Sequence, residues 1–255
     1  MCFDLDSHPP IPPLAGAAID GRRIQLQAAD GTDFDAFEAR PTAPTGAGMI
    51  ILPDVRGLYT FYEELALRFA EAGIAALAID YFGRTAGTGA RGEDFDYRPH
   101  VDQTRWPSLQ LDIKAARDQM ASWGEVRAVF SVGFCFGGRL SFLLASEAEL
   151  KMSGVVGFYG WPVGESRGVP APIDRADDNL APILGLFGGA DQGVTPDIVE
   201  QYRVALDAAG ADSEIVSYPG APHSFFDRKA ADFADASADS WRRTLDFVKH
   251  HTPAA

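Results

Sequence analysis

The stretch GFCFGG at residues 133–138 follows a run rich in β-branched residues, 126–132, and leads into an apolar segment. A strand that turns sharply into a helix, with small residues on both sides of one reactive side chain, is typical of a nucleophile elbow. The turn brings Gly133 and Gly137 nearly into contact, which residues without a side chain tolerate. The pattern predicts that Cys135 is a nucleophilic thiol at a helix N-terminus. The alternative is a buried structural cysteine beside a glycine-rich turn.

The segments on either side of this elbow alternate between short apolar runs and helical patterns. An N-terminal hairpin is predicted first, with strands at 23–28 and 32–39 joined across Asp30-Gly31. Because the later runs are apolar on both faces, they indicate a mostly parallel sheet with helices on both sides. The predicted strands of this part are 48–52, 74–79, 126–132, 154–158, 183–187 and 213–218, and the helices are 61–72, 108–122, 196–209 and a last one ending near 249.

The length of 255 residues is normal for one large α/β domain, and no Pro/Ser-rich linker divides the chain. We therefore expect a single domain over 1–255. Residues 1–21, with four prolines, are expected to form an extended arm on that domain. The segments 81–106 and 160–181 are expected to be loops on the substrate side, where selectivity would be determined.

The composition indicates which classes of binding partner and which cellular compartment to expect. A formal net charge of -14 repels phosphate backbones and anionic lipid, so nucleic acid and membrane partners are not expected and small molecules remain. The N-terminus does not resemble a signal peptide, and no segment approaches the roughly 18 apolar residues of a membrane helix. Two cysteines make no disulfide framework, which fits a reducing cytoplasm. The oligomeric state, monomer or small homo-oligomer, stays open.

Three polar residues follow three of the predicted strands, where the reactive groups of such sheets collect. Cys135 follows 126–132, Asp191 follows 183–187, and His223 follows 213–218. The order nucleophile, acid, histidine is that of the α/β-hydrolases. His223 would take the proton of Cys135, and Asp191 would orient the imidazole. The alternatives are a surface-loop histidine and a turn or capping aspartate.

Attack on a carbonyl group also requires donors for the oxyanion that forms. One donor is usually the amide that follows the nucleophile, which is that of Phe136, and the other comes from the loop after an earlier strand. Val55, in the sequence PDVRG just beyond strand 48–52, is the best candidate for the second amide. This chemistry needs no metal ion and no organic cofactor.

The chain resembles the dienelactone hydrolases (carboxymethylenebutenolidases), a cysteine-using branch of the α/β-hydrolases. The resemblance is carried by GFCFGG at 133–138, GGAD at 188–191, GAPHSF at 220–225 and DYFGR at 80–84, and it extends over about residues 23–249. It implies an acidic residue that contacts the resting thiol, at the position of Asp54, although the family enzyme typically has glutamate there. A simple turn aspartate is the alternative.

The resemblance also implies arginines that hold a substrate carboxylate, and Arg84 matches one of these positions. The second is expected shortly after the histidine, but Asp227 stands there and Arg228 follows one residue late. Arg84 could instead be a loop arginine paired with one of the many acids.

These observations predict an α/β-hydrolase that cleaves an ester or lactone through an acyl-cysteine intermediate on Cys135, His223 and Asp191. Two other functions stay open. One is acyl transfer or thioester hydrolysis on the same residues, and the other is a non-catalytic relative that binds a ligand or senses redox state through the thiol.

Overall fold

The computed structural model describes residues 7–14, 19–91 and 94–254. Its centre is an eight-stranded sheet with the strand order β1-β2-β4-β3-β5-β6-β7-β8. The strands are β1 Ile19–Gln27, β2 Asp33–Pro41, β3 Ala47–Leu52, β4 Ala75–Ile79, β5 Ala128–Phe134, β6 Gly154–Phe158, β7 Ile183–Gly188 and β8 Ser213–Tyr218. The α-helices are α1 Thr60–Glu71, α2 Gly83–Ala86, α3 Arg98–Val101, α4 Trp106–Ala121, α5 Phe136–Leu144, α6 Pro196–Ala208 and α7 Ala234–His251.

The N-terminal hairpin is confirmed: β1 and β2 pair antiparallel, and Gly31 in the connecting turn has φ +83°. β2 also pairs antiparallel with β4, whereas every pairing from β4 onwards is parallel. β1 begins at Ile19, so the last residues of the expected arm 1–21 belong to a strand. Residues 1–6 and 15–18 of that arm lie outside the described part of the chain.

The inner strands are apolar along almost their whole length because both of their faces are buried. All residues of β3, β4, β5, β6 and β7 are buried, because helices cover both faces of the sheet. Apolar residues of α4, α5 and α6 pack on one face, and those of α1 and α7 pack on the other. The fold is therefore the expected α/β-hydrolase architecture with a mostly parallel sheet and an antiparallel edge.

The two segments expected as substrate-side loops contain short helical elements. α2 and α3 lie within 81–106, and a 3₁₀-helix, Pro172–Asp178, lies within 160–181. Each helical piece has at most seven residues, too few for the 3.6-residue periodicity that identified the longer helices. Among the described helices, none is long and apolar enough to cross a membrane.

Candidate active site

The turn between β5 and α5 holds Cys135 in a strained backbone conformation, with φ 54° and ψ -110°. The flanking glycines make this turn possible. A Cβ atom on Gly133 would lie 1.9 Å from the carbonyl oxygen of Gly137, and one on Gly137 would lie 2.0 Å from that of Leu52. The Cys135 side chain is half-buried at the first turn of α5, where unpaired amides favour negative charge. The geometry is that of a nucleophile elbow.

His223 and Asp191 meet beyond the carboxyl ends of β8 and β7. The Nδ1 atom of His223 lies 2.6 Å from Oδ2 of Asp191. The other carboxylate oxygen accepts hydrogen bonds from the backbone amides of Gly193, at 2.8 Å, and Val194, at 3.1 Å. The Asp191 side chain is buried, whereas that of His223 is 31% exposed. A carboxylate fixed in this way sets the imidazole orientation and leaves Nε2 for proton transfer.

One cavity of about 520 Å³ contains most of the predicted site residues. Cys135 and His223 both line it, as do Val55 and Phe136, whose amides are the expected oxyanion donors. The rest of the lining comes from α5, from the β6–β7 connection and from the turn after Asp191. These further residues are Arg139, Tyr159, Trp161, Val163, Gly164, Glu165, Ser166, Arg167, Gly193 and Val194. Segment 161–167 thus forms one wall, while none of the described residues of 81–106 contributes to the lining.

Asp54 is buried in the turn after β3, behind Val55 in the lining. Its Oδ1 atom accepts the amide of Arg56 at 2.8 Å, and its Oδ2 atom lies 3.6 Å from the Arg56 guanidinium. Tyr81, which donates to the carbonyl oxygen of Pro53 at 2.8 Å, lies near both Asp54 and Cys135. Burial, reinforced by the nearby carboxylates of Asp54 and Asp80, holds the pKa of Tyr81 well above its usual value. These contacts of Asp54 within the turn fit the turn-aspartate alternative, and its contact with the thiol stays a prediction.

Arg84 is not brought to the cavity. Its guanidinium makes a two-point contact with Asp112, at 2.7 and 3.3 Å, and also donates to Asp30 and to the hydroxyl of Thr32. Asp112 is buried, which raises its pKa to about 6 despite the opposing effect of Arg84. These contacts fit the alternative that Arg84 is a loop arginine paired with acids. They do not fit the expected role in holding a substrate carboxylate, because Arg84 is not among the residues that line the cavity.

A buried pair next to the histidine was not foreseen. The Tyr159 ring lies 4.6 Å from the His223 ring, centroid to centroid, and its hydroxyl donates to Oδ2 of Asp227 at 2.7 Å. Tyr159 and Ser224, the residues beside β6 and His223, both have positive φ, 40° and 64°. Such backbone strain concentrates at functional sites. The position of Tyr159 directly after an apolar strand is the sequence signal that could have identified it.

Arg139 was also not foreseen as part of the site. It is the one charged residue of α5, and it is 2% exposed. Its guanidinium donates to carbonyl oxygens of Trp161, Val163, Gly164, Val169 and Pro170, of which the first three lie in the segment that walls the cavity. Burial lowers its pKa to about 10. A lone arginine in an apolar helix was the available signal, since a buried charge requires many partners.

Metal binding has no obvious location in the part of the chain that the structure describes. No group of three or more His, Cys, Asp or Glu residues there could hold an ion.

Comparisons with known proteins agree with this architecture. The model of the dienelactone hydrolase family matches residues 34–252. A Salmonella typhimurium protein named as a candidate carboxymethylenebutenolidase is 33% identical over 234 residues, which is 87% of this chain and 84% of that protein. The carboxymethylenebutenolidase of Rhodococcus opacus is 28% identical, covering 98% of this chain and 97% of its own.

Solved structures give the same result. The crystal structure of a candidate dienelactone hydrolase from Klebsiella pneumoniae superposes with a TM-score of 0.80 at 30% identity, over 91% of this chain and 99% of that one. The chain therefore belongs to the dienelactone hydrolase family and is an ester or lactone hydrolase.

Proposed function

We propose that this hydrolase works through an acyl-cysteine intermediate formed on Cys135. The observation that carries the proposal is the 2.6 Å contact between His223 and Asp191, on the same cavity as the strained Cys135. A thiol of ordinary pKa, near 8.5, is only a few per cent thiolate at neutral pH, so an adjacent imidazole is what gives it reactivity. The cavity offers a small ester or lactone both the sulfur and the base.

In the first half-reaction the thiol proton moves to Nε2 of His223 as the sulfur attacks the carbonyl carbon. The oxygen of that carbonyl becomes an oxyanion, which the amides of Val55 and Phe136 would stabilise. Asp191 stabilises the imidazolium that has formed. When the tetrahedral intermediate collapses, the C–O bond breaks and the alcohol leaves with the proton from Nε2. For a lactone, the alcohol stays attached to the acyl group.

In the second half-reaction water attacks the thioester and gives its proton to Nε2 of His223. Collapse of the second tetrahedral intermediate breaks the C–S bond, releases the carboxylic acid and returns the proton to the sulfur. Every proton taken up by the imidazole is thus delivered to a leaving group, and no redox step occurs.

The test is hydrolysis of 4-nitrophenyl butyrate by the full-length protein. We expect Cys135→Ala and His223→Ala each to lower kcat/KM at least about a hundredfold, because the two residues act as one unit. His250→Ala is the matched control, since His250 is exposed at the end of α7, away from the cavity. Equal rates in all four proteins would contradict the mechanism.

The intermediate itself can be detected by mass spectrometry. Acid quench during turnover should trap an added butyryl group on the peptide that contains Cys135. With an alcohol or thiol acceptor added, a new ester as the main product would indicate acyl transfer, whereas butyrate as the main product supports hydrolysis.

A further inference from the structure

The walls of the cavity are largely apolar away from the reacting groups. Val55, Phe136, Tyr159, Trp161, Val163 and Val194 supply side chains that favour hydrocarbon over water. Trp161 is 42% exposed, although it lines the cavity. A tryptophan that combines both properties would contact the acyl or alcohol part of a bound ester, because indole buries well against aliphatic groups.

The positive charges of the lining are already in use. Three of the described lining residues could carry one: Arg139, Arg167 and His223. Arg139 is buried and donates to five backbone carbonyl oxygens of residues 161–170, in the β6–β7 connection. Arg167 donates from Nε to Asp102 at 2.9 Å, and His223 is paired with Asp191. A carboxylate entering the cavity would have to compete with these partners.

The two positions at which the family resemblance implies carboxylate-binding arginines do not supply a cation either. Arg84 is paired with Asp112 and Asp30, outside the lining. At the other position the chain has Asp227, whose carboxylate accepts the Tyr159 hydroxyl directly behind the cavity wall. Arg228, one residue later, lies against a separate surface pocket with Ser7 and is not in the lining of this cavity.

Negative groups, by contrast, lie in the cavity lining or next to residues of the lining. Glu165 belongs to the lining itself. Asp54 and Asp227 are both buried; Asp54 directly precedes Val55 in the chain, and Asp227 accepts the Tyr159 hydroxyl. The two carboxyl groups are close enough to each other to interact electrostatically. Arg56 offsets part of the charge of Asp54 from 3.6 Å. An anion in this cavity would lose hydration and meet the charge of Glu165 and of the acids next to the lining, which is unfavourable on both counts.

We propose that the site accepts esters and lactones whose acyl part is apolar and uncharged, and that it discriminates against substrates with a free carboxylate near the scissile bond. This inference rests on the proposed function and specifies its substrate class. It assigns the discrimination to Asp227 and Glu165, together with the commitment of Arg84 and Arg139 to internal partners.

The experiment compares three aryl esters with the same six-carbon acyl chain: 4-nitrophenyl hexanoate, the 4-nitrophenyl ester of adipamic acid and the mono-4-nitrophenyl ester of adipic acid. The last two differ only in a terminal carboxamide or carboxylate, which have nearly the same shape. We expect kcat/KM for the carboxamide to exceed that for the carboxylate at least about tenfold at pH 8, after subtraction of the uncatalysed rates. The hexanoate should be the best of the three.

Substitutions of two surface acids distinguish the effect of a charge in the lining from the effect of the overall charge of -14. Glu165→Gln should reduce the preference for the carboxamide, whereas Asp178→Asn, which removes an exposed acid outside the lining, should leave the preference as it is. Glu165→Lys should reduce it further. Folding is not at risk in these variants, since both side chains are exposed.

A second measurement does not depend on turnover. The rate of alkylation of Cys135 by neutral iodoacetamide is divided by the rate with anionic iodoacetate, and the same ratio is measured for N-acetylcysteine. We expect the protein ratio to exceed that of the small thiol about tenfold or more, because Glu165 in the lining and the acids next to it repel iodoacetate.

The outcomes are distinct. Equal or faster hydrolysis of the carboxylate ester, or an alkylation ratio no larger than that of N-acetylcysteine, would overturn the inference while leaving the hydrolase mechanism intact. No hydrolysis of any of the three esters would overturn the proposed function, and this inference with it.

Discussion

The buried carboxyl of Asp227 predicts how the stability of the protein depends on pH. Burial raises its pKa from 3.8 to about 7, although the hydrogen bonds from the Tyr159 hydroxyl and the Arg228 amide oppose that rise. The nearby charge of Asp54 raises the pKa further, and His223 lowers it. The perturbation is Asp227→Asn, which keeps the size of the side chain. The Tyr159 hydroxyl can accept from the new amide group instead of donating.

The sign follows from proton uptake. Between about pH 4 and pH 7 folded wild-type protein keeps a proton on Asp227 that the unfolded chain has lost, so the free energy of unfolding falls as the pH rises. A pKa raised from 3.8 to about 7 corresponds to about 4 kcal/mol in total, at about 1.4 kcal/mol per pH unit. The asparagine variant lacks this titration. Its free energy of unfolding minus that of wild type should therefore increase by about 4 kcal/mol between about pH 4 and pH 8.

Urea denaturation of both proteins at fixed ionic strength, from about pH 4 to pH 8, measures this difference directly. Asp178→Asn serves as the control, because Asp178 is exposed and should give a difference that does not change with pH. A difference for Asp227→Asn that stays flat, or that falls as the pH rises, would refute the reasoning.

Two further predictions concern packing and charge. Gly137→Ala should destabilise the fold by several kcal/mol and abolish hydrolysis, since its Cβ would lie 2.0 Å from the Leu52 carbonyl oxygen. The control is Gly124→Ala, which has no atom within 4 Å of its Cβ and should leave the melting temperature nearly unchanged. Equal effects of the two substitutions on the melting temperature would contradict this account. Arg84→Met should lower the free energy of unfolding, measured by urea denaturation, by about 3 kcal/mol at pH 8 and by markedly less at pH 5, because the Asp112 carboxyl left without its partner can be protonated at pH 5. A loss of stability that does not depend on pH, or a changed preference between carboxylate and carboxamide esters, would contradict the structural role of Arg84.

The parts of the fold that could be predicted from the sequence are those with local causes. GFCFGG at 133–138 specifies the elbow because backbone atoms leave room for no Cβ at Gly133 or Gly137. The strand at 154–158 was predicted to the residue, since its five residues are all buried and apolar or glycine. The positions of Asp191 and His223 after two strands predict that they lie near each other, because reactive residues collect at the carboxyl ends of such strands. Their side chains are in contact in the structure.

What sequence reasoning missed depends on contacts between distant residues. Arg139 is paired with carbonyl groups 22 to 31 residues away in the chain, and no local pattern encodes which segment it holds. The contact between Tyr159 and Asp227 spans 68 residues. The expectation for Arg84 came from a family position alone, and position does not reveal that Asp30 and Asp112 lie close enough to bind it.

Asp227 connects the pH dependence of stability with the proposed selectivity for neutral substrates. Over about pH 6 to pH 8 an adipate half-ester stays fully ionised, so a change in the kcat/KM ratio of carboxamide to carboxylate ester reports on the protein. That ratio should rise with pH as Asp227 loses its proton next to Tyr159. Asp54 and His223, the charged neighbours of Asp227, are retained in Asp227→Asn, so this variant isolates the contribution of the Asp227 carboxyl. The part of the rise that disappears in this variant belongs to Asp227, and an unchanged rise would contradict the role of Asp227 in the selectivity.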